Sequence, residues 1–161
     1  IEVGTFSKTI ATGIRVAWIM ASKSIINNLN LMRFDNGGSS LMQRMVFSFV
    51  NSSHYPKHLA SVNQIYKRKR NIVSDALTKY CSDHVEFHIP QGGFYHWVKI
   101  KNGLKNSKLA ENALKQGVGI NVGNIYFVNR EDTEHVRIVY SKLKESDLVD
   151  AVKILSTCFK N

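Results

Sequence analysis

The chain has 161 residues, 43% of them hydrophobic and 21% charged, with a formal net charge of +10. That size and balance support a globular core and exclude a disordered chain, and no stretch approaches the roughly 20 apolar residues of a membrane helix. The basic surplus permits attraction to phosphate groups or nucleic acid without requiring it.

From the amino end, Ile1–Gly4 reads as the end of a strand, Thr5–Thr12 as a polar loop and Ile14–Ala21 as a second strand. Trp18, and later Trp97, are expected in the core. Ser22 can cap a helix in which Ile25, Ile26, Leu29 and Met32 recur at helical spacing. Asn36-Gly37-Gly38-Ser39 breaks the chain, and Ser39 or Ser40 starts a helix through Val50. Pro56 suits the first turn of a long helix ending near Cys81. Its Lys67-Arg68-Lys69-Arg70 run reads as a solvated helix face rather than a nucleic-acid contact. Val85–Ile89 and Phe94–Ile100 alternate around Pro90-Gln91-Gly92-Gly93, which predicts a hairpin. A helix over Ser107–Gln116 is stopped by Gly117. Val118–Val122 and His135–Tyr140 read as strands, and Glu145–Phe159 as an amphipathic helix with Leu148, Val152 and Leu155 inward. The fold class is α/β.

Chemistry concentrates near the amino end. Lys8 follows Thr5 and Ser7 on a loop between two apolar strands, and Arg15 comes soon after. A lysine amine can form an imine with an aldehyde, and hydroxyls with a guanidinium suit a phosphate. Taken alone, this set serves any phosphate-bearing aldehyde. Arg137, between Val136 and Ile138, falls on the opposite strand face from its neighbours, facing either solvent or a site. His54 and His58 have metal-ligand spacing but no third ligand, so no metal is expected. His84, His88 and His96 read as surface or packing residues. Cys81 and Cys158, in no Cys-x-x-Cys pair, read as reduced thiols of a cytoplasmic protein.

Gly4-Thr5-Phe6-Ser7-Lys8-Thr9-Ile10-Ala11-Thr12-Gly13-Ile14-Arg15-Val16-Ala17-Trp18 resembles the cofactor-lysine motif of the fold type I aminotransferases. The similarity is greatest to the kynurenine/aminoadipate aminotransferase group and to the effector domains of MocR-type regulators. Tyr66-Lys67-Arg68-Lys69-Arg70 resembles the family's interdomain helix, and Pro90–Trp97 and Gly117–Gly123 resemble segments of its small domain. Val136-Arg137-Ile138-Val139-Tyr140-Ser141 resembles its carboxylate-binding strand. Two positions depart from the pattern: Thr12 and Val122 stand where the family commonly has proline.

The resemblance implies pyridoxal 5'-phosphate as cofactor, with Lys8 as the Schiff-base lysine and catalytic residue. Thr5, Ser7 and Arg15 would lie around the phosphate, and Arg137 would bind the substrate carboxylate. It implies that residues 1–53 are a remnant of the large cofactor-binding domain, and that 54–161 are the linking helix and a small α+β domain. Amino acids and 2-keto acids would be the substrates, and the full-length protein a homodimer without a membrane partner. The family's residues that hold the cofactor ring precede the lysine by more than seven positions. The expectation is therefore a carboxy-terminal part that is inactive alone, exposes apolar surface and self-associates. The alternative is the effector domain of a MocR-like (GntR-type) regulator, the one case in which nucleic acid is a partner. A lyase or synthase of the same fold is a third reading.

Overall fold

The computed structural model describes residues 1–33, 37–101, 103–129 and 133–160. Contacts divide the chain into two units, Ile1–Ser61 and Val62–Asn161.

In the first unit, β1 (Glu2–Thr5) and β2 (Ala17–Met20) pair antiparallel, with Gly4 opposite Trp18. The second strand begins at Ala17 rather than Ile14, because Thr12–Ile14 form a 3-10 turn and Arg15 is left-handed at φ 54°. Neither conformation can join a ladder. A Cβ at Gly4 would run into the Trp18 indole, so the ring lies across the strand where the side chain is missing. Trp18 is nevertheless 40% exposed, not the core residue expected. A two-stranded ribbon has no opposing layer of its own to bury an indole, and every residue of β2 is exposed.

Two helices follow, α1 (Lys23–Leu31) with Ser22 at its N-cap position and α2 (Ser40–Val50) capped by Ser39, whose hydroxyl accepts from the Met42 amide at 3.4 Å. The break expected between them opens at Asn36, which lies outside the described residues. Among those described, Val46 is the only buried hydrophobic residue of this unit.

The long helix α3 (His54–Cys81) runs as expected, and the division between units falls inside it. In the second unit its Val73, Ala76, Leu77 and Cys81 form a buried stripe at helical spacing. They face an antiparallel sheet of β3 (Val85–Phe87), β4 (Tyr95–Ile100), β5 (Asn121–Val122) and β6 (His135–Val139), in the order β3-β4-β6-β5. Burial alternates strictly along β4, with His96, Val98 and Ile100 inward and Tyr95, Trp97 and Lys99 outward. The core is completed by Leu109 from α4 (Asn106–Lys115) and by Leu148, Val152 and Leu155 from α5 (Glu145–Ser156).

Three expectations change here. Trp97 is 39% exposed rather than core, because it shares the outward parity of Tyr95. The fifth strand shrinks to Asn121–Val122, because the Val118 amide is already used: it donates to Ala113 O, and Gly117 N to Leu114 O, both at 2.9 Å. With Gly117 at φ 81°, this is a Schellman ending of α4. The basic run is only half solvated. Lys69 Nζ donates to Ser141 O at 3.2 Å and Leu143 O at 2.7 Å, and Arg70 to Pro90 O at 3.0 Å, so both tie α3 to loop carbonyls. Among the described residues, no helix is long and apolar enough to cross a membrane.

Candidate functional site

Lys8 lies in a short turn that hydrogen bonds close on every side. The Phe6 amide donates to Val16 O at 3.0 Å, and the Ile10 amide donates back to Phe6 O at 2.9 Å, spanning the lysine. Thr5 Oγ1 donates to Val16 O at 3.3 Å and accepts from the Ser7 amide at 3.1 Å. The threonine hydroxyl therefore clips the two arms of the loop, as short hydroxyl side chains do in turns. Lys8 is exposed and Ser7 half-buried. His58, from the first turns of α3, approaches the next carbonyl: its Nε2 is 2.9 Å from Thr9 O. The Phe49 ring meets the His58 ring edge-on at 5.7 Å, so the imidazole is held from α2 as well. Thr9 Oγ1 is buried without a partner among the described residues.

Arg15 sits at the foot of the same loop and lines a cleft of about 450 Å³ with Phe6, Val16, Trp18, Gln43 and Phe47. Its left-handed backbone sends the chain from the 3-10 turn into β2. Thus Thr5, Ser7, Lys8 and Arg15 belong to one loop of the first unit. The amine suits an aldehyde, and the Ser7 hydroxyl and the guanidinium suit its phosphate, while the Thr5 hydroxyl proton is already given to Val16 O.

Arg137 belongs to the second unit, on the outward face of β6, opposite Trp97 of β4 and Asn121 of β5. Its Cζ lies 4.5 Å from the centre of the Tyr95 ring and 4.3 Å from that of Tyr126. Nε is buried and has no hydrogen-bond partner among the described residues. Tyr126 closes a 3-10 turn, Gly123–Tyr126, in which a Cβ at Gly123 would collide with the His135 carbonyl. That close approach seats the turn against the start of β6. Trp97 stacks on His135 with ring centres 5.3 Å apart and meets Tyr126 edge-on at 5.8 Å.

Behind the sheet, His96 is fully buried, with Nε2 at 3.3 Å from both Ser74 Oγ and Arg70 O. Burial pushes its pKa below the ordinary value. Cys81 and Cys158 are both buried free thiols, and burial, aided by Cys158, pushes the Cys81 thiol up to about 11. Such a thiol is inert as a nucleophile.

Sequence reasoning missed His58, Tyr95 and Tyr126. His58 has metal-pair spacing with His54 in the sequence, whereas its partner is a backbone carbonyl. Tyr95 carried a faint signal, the outward parity it shares with Trp97 across from Arg137. Tyr126 carried none, because its place depends on how the 3-10 turn before β6 folds back onto that strand, which no local spacing shows.

Residues 1–155 match the profile of the family described as "Aminotransferase class I and II". The chain is 32% identical over 160 residues to the HTH-type transcriptional regulator YdfD of Bacillus subtilis, covering 98% of this chain and 33% of that protein. It is 26% identical over 162 residues to aromatic-amino-acid aminotransferase 1 of Thermococcus litoralis, covering 99% of this chain and 39% of that protein. The crystal structure of Pyrococcus horikoshii kynurenine aminotransferase, in complex with PMP, superposes with a TM-score of 0.92 at 25% identity, over 98% of this chain and 39% of that one. The chain thus spans about a third of the length of the curated relatives it matches.

Proposed function

Since the chain belongs to the class I and II aminotransferase family, we propose that it is the carboxy-terminal part of a pyridoxal-phosphate-dependent aminotransferase. Such a protein moves an amino group between an amino acid and a 2-keto acid. The observation that carries this reading is the closed turn presenting Lys8, with Ser7 beside it and Arg15 at its foot.

Pyridoxal phosphate, when bound, supplies an aldehyde for the lysine and a ring that withdraws electrons from the substrate Cα. The Lys8 amine would hold that aldehyde, and the same amine would take and return the substrate Cα proton. Ser7 and Arg15 hold the phosphate, while Thr5 keeps the loop in shape. Arg137 binds the α-carboxylate through parallel N–H donors and so orients the Cα–H bond. In the homodimer we propose for the longer protein, further groups complete the site. The 161-residue chain alone is therefore inactive and gains no visible absorbance from added pyridoxal phosphate.

Borohydride reduction of the longer protein with pyridoxal phosphate, followed by peptide mapping, tests the assignment. The phosphopyridoxyl group is expected on Lys8 and is lost in Lys8→Ala. Stoichiometric labelling of a different lysine refutes it.

A second reading has its own support, because the regulator relative is more similar in sequence than the aminotransferase relative. In that case the same cofactor site belongs to the effector domain of a MocR-like (GntR-type) regulator, and an attached helix-turn-helix binds DNA. Salt-dependent DNA binding without amino-acid turnover by the longer protein identifies the regulator. Turnover without DNA binding identifies the enzyme.

A further inference from the structure

We propose that Tyr95 and Tyr126 are positioning residues that hold the Arg137 guanidinium in one plane, so that it receives a carboxylate edge-on. The proposal deepens the reading of Arg137 as the carboxylate-binding arginine and rests on it. A guanidinium is planar and weakly hydrated, and it stacks readily on aromatic faces. Its N–H donors, by contrast, all lie in its plane, where a carboxylate pairs with two of them at once. Rings flanking the cation therefore restrain it without consuming a donor, and they strip water from the surfaces a carboxylate does not use.

The surroundings are built for that restraint. Cζ lies within 4.5 Å of both ring centres. Tyr95 is fixed by its place in β4, and Tyr126 by the turn whose Gly123 packs on the His135 carbonyl. Trp97, itself stacked on His135, supports Tyr126 edge-on. Tyr95 and Tyr126 are 41% and 43% exposed, so they are not core residues that happen to touch an arginine. The buried Nε, with no acceptor among the described residues, marks a cation whose hydrogen bonding is incomplete without a ligand. An arginine already immobilised gives up less freedom when the carboxylate arrives.

The test is a titration of the longer protein with pyruvate, the simplest 2-keto acid, following the Arg137 Nε–Hε resonance by 15N NMR. Rotation about Nε–Cζ is expected to be slow, with the resonance displaced by ring currents. Tyr95→Leu and Tyr126→Leu should each speed that rotation and weaken pyruvate binding about 2- to 5-fold, the range of one exposed cation–π contact. Tyr126→Phe, which keeps the ring, should retain both. Backbone amide spectra establish that each variant is folded. Leucine variants that bind pyruvate like the parent, while Arg137→Gln does not, overturn the positioning role and leave the arginine assignment standing. Absence of a pyruvate response at Arg137, or a response at neighbouring amides that survives Arg137→Gln, overturns the arginine assignment itself.

Discussion

His96 is fully buried in a setting that, among the described residues, gives its Nε2 two partners and its Nδ1 none. Burial is the largest cause of its lowered pKa; the Arg70 carbonyl opposes the shift and the Arg70 charge adds to it. The sign of the pH dependence follows. Below the ordinary value of 6.5, the unfolded chain takes up a proton that the folded imidazole refuses, so stability declines as pH falls from there toward the folded pKa. The second unit should melt at a lower temperature at pH 5 than at pH 7.5, and His96→Gln should flatten the difference. Equal pH slopes in parent and variant would show that His96 is not the group responsible. The lysine loop illustrates a different residue-scale effect. Thr5, Ser7, Lys8 and Arg15 could be proposed together from the sequence because they lie in one short contiguous stretch. His58 was not, because its contact with Thr9 O joins residues on separate elements.

At the scale of elements, helical periodicity and strand alternation carried most of the information. The α3 stripe of Val73, Ala76, Leu77 and Cys81 and the β4 alternation both follow from it. Leu77 is completely buried against the sheet, so Leu77→Ala should cost about 2–5 kcal/mol in urea unfolding of the second unit. Leu41→Ala on α2, where the side chain is 66% exposed, should change stability by no more than about 0.5 kcal/mol. A comparable loss at both positions would contradict the burial pattern. Element ends were less legible. Val118 reads as strand from its apolar side chain, but its amide is spent on ending α4. Arg15 reads as strand from its neighbours, but its backbone is left-handed.

Across the whole molecule the two units differ in what they bury. The second has a continuous core, whereas the first leaves Val3, Met20, Leu31 and Phe47 at least 60% exposed and buries only Val46 among its described hydrophobic residues. Apolar side chains this exposed favour association of the chain with itself. Size-exclusion chromatography of the chain should show concentration-dependent association, reduced by combining Met20→Ser with Phe47→Ser. A sharp monomer peak at every concentration would count against it. Hydrogen exchange should also be faster in β1 and β2 than in β4 and β6, because little buried surface opposes local opening in the first unit.

The sequence by itself determined the α/β class and the order of the elements, which are written in short-range periodicity, and its contiguous motifs around Lys8 and Arg137 carried the resemblance to the family. Tertiary structure alone decided that Trp18 and Trp97 face outward, that Lys69 and Arg70 bind loop carbonyls, and that Tyr126 flanks Arg137. Each depends on which remote backbone arrives beside a given side chain, and on whether a further layer covers it. Local spacing encodes neither.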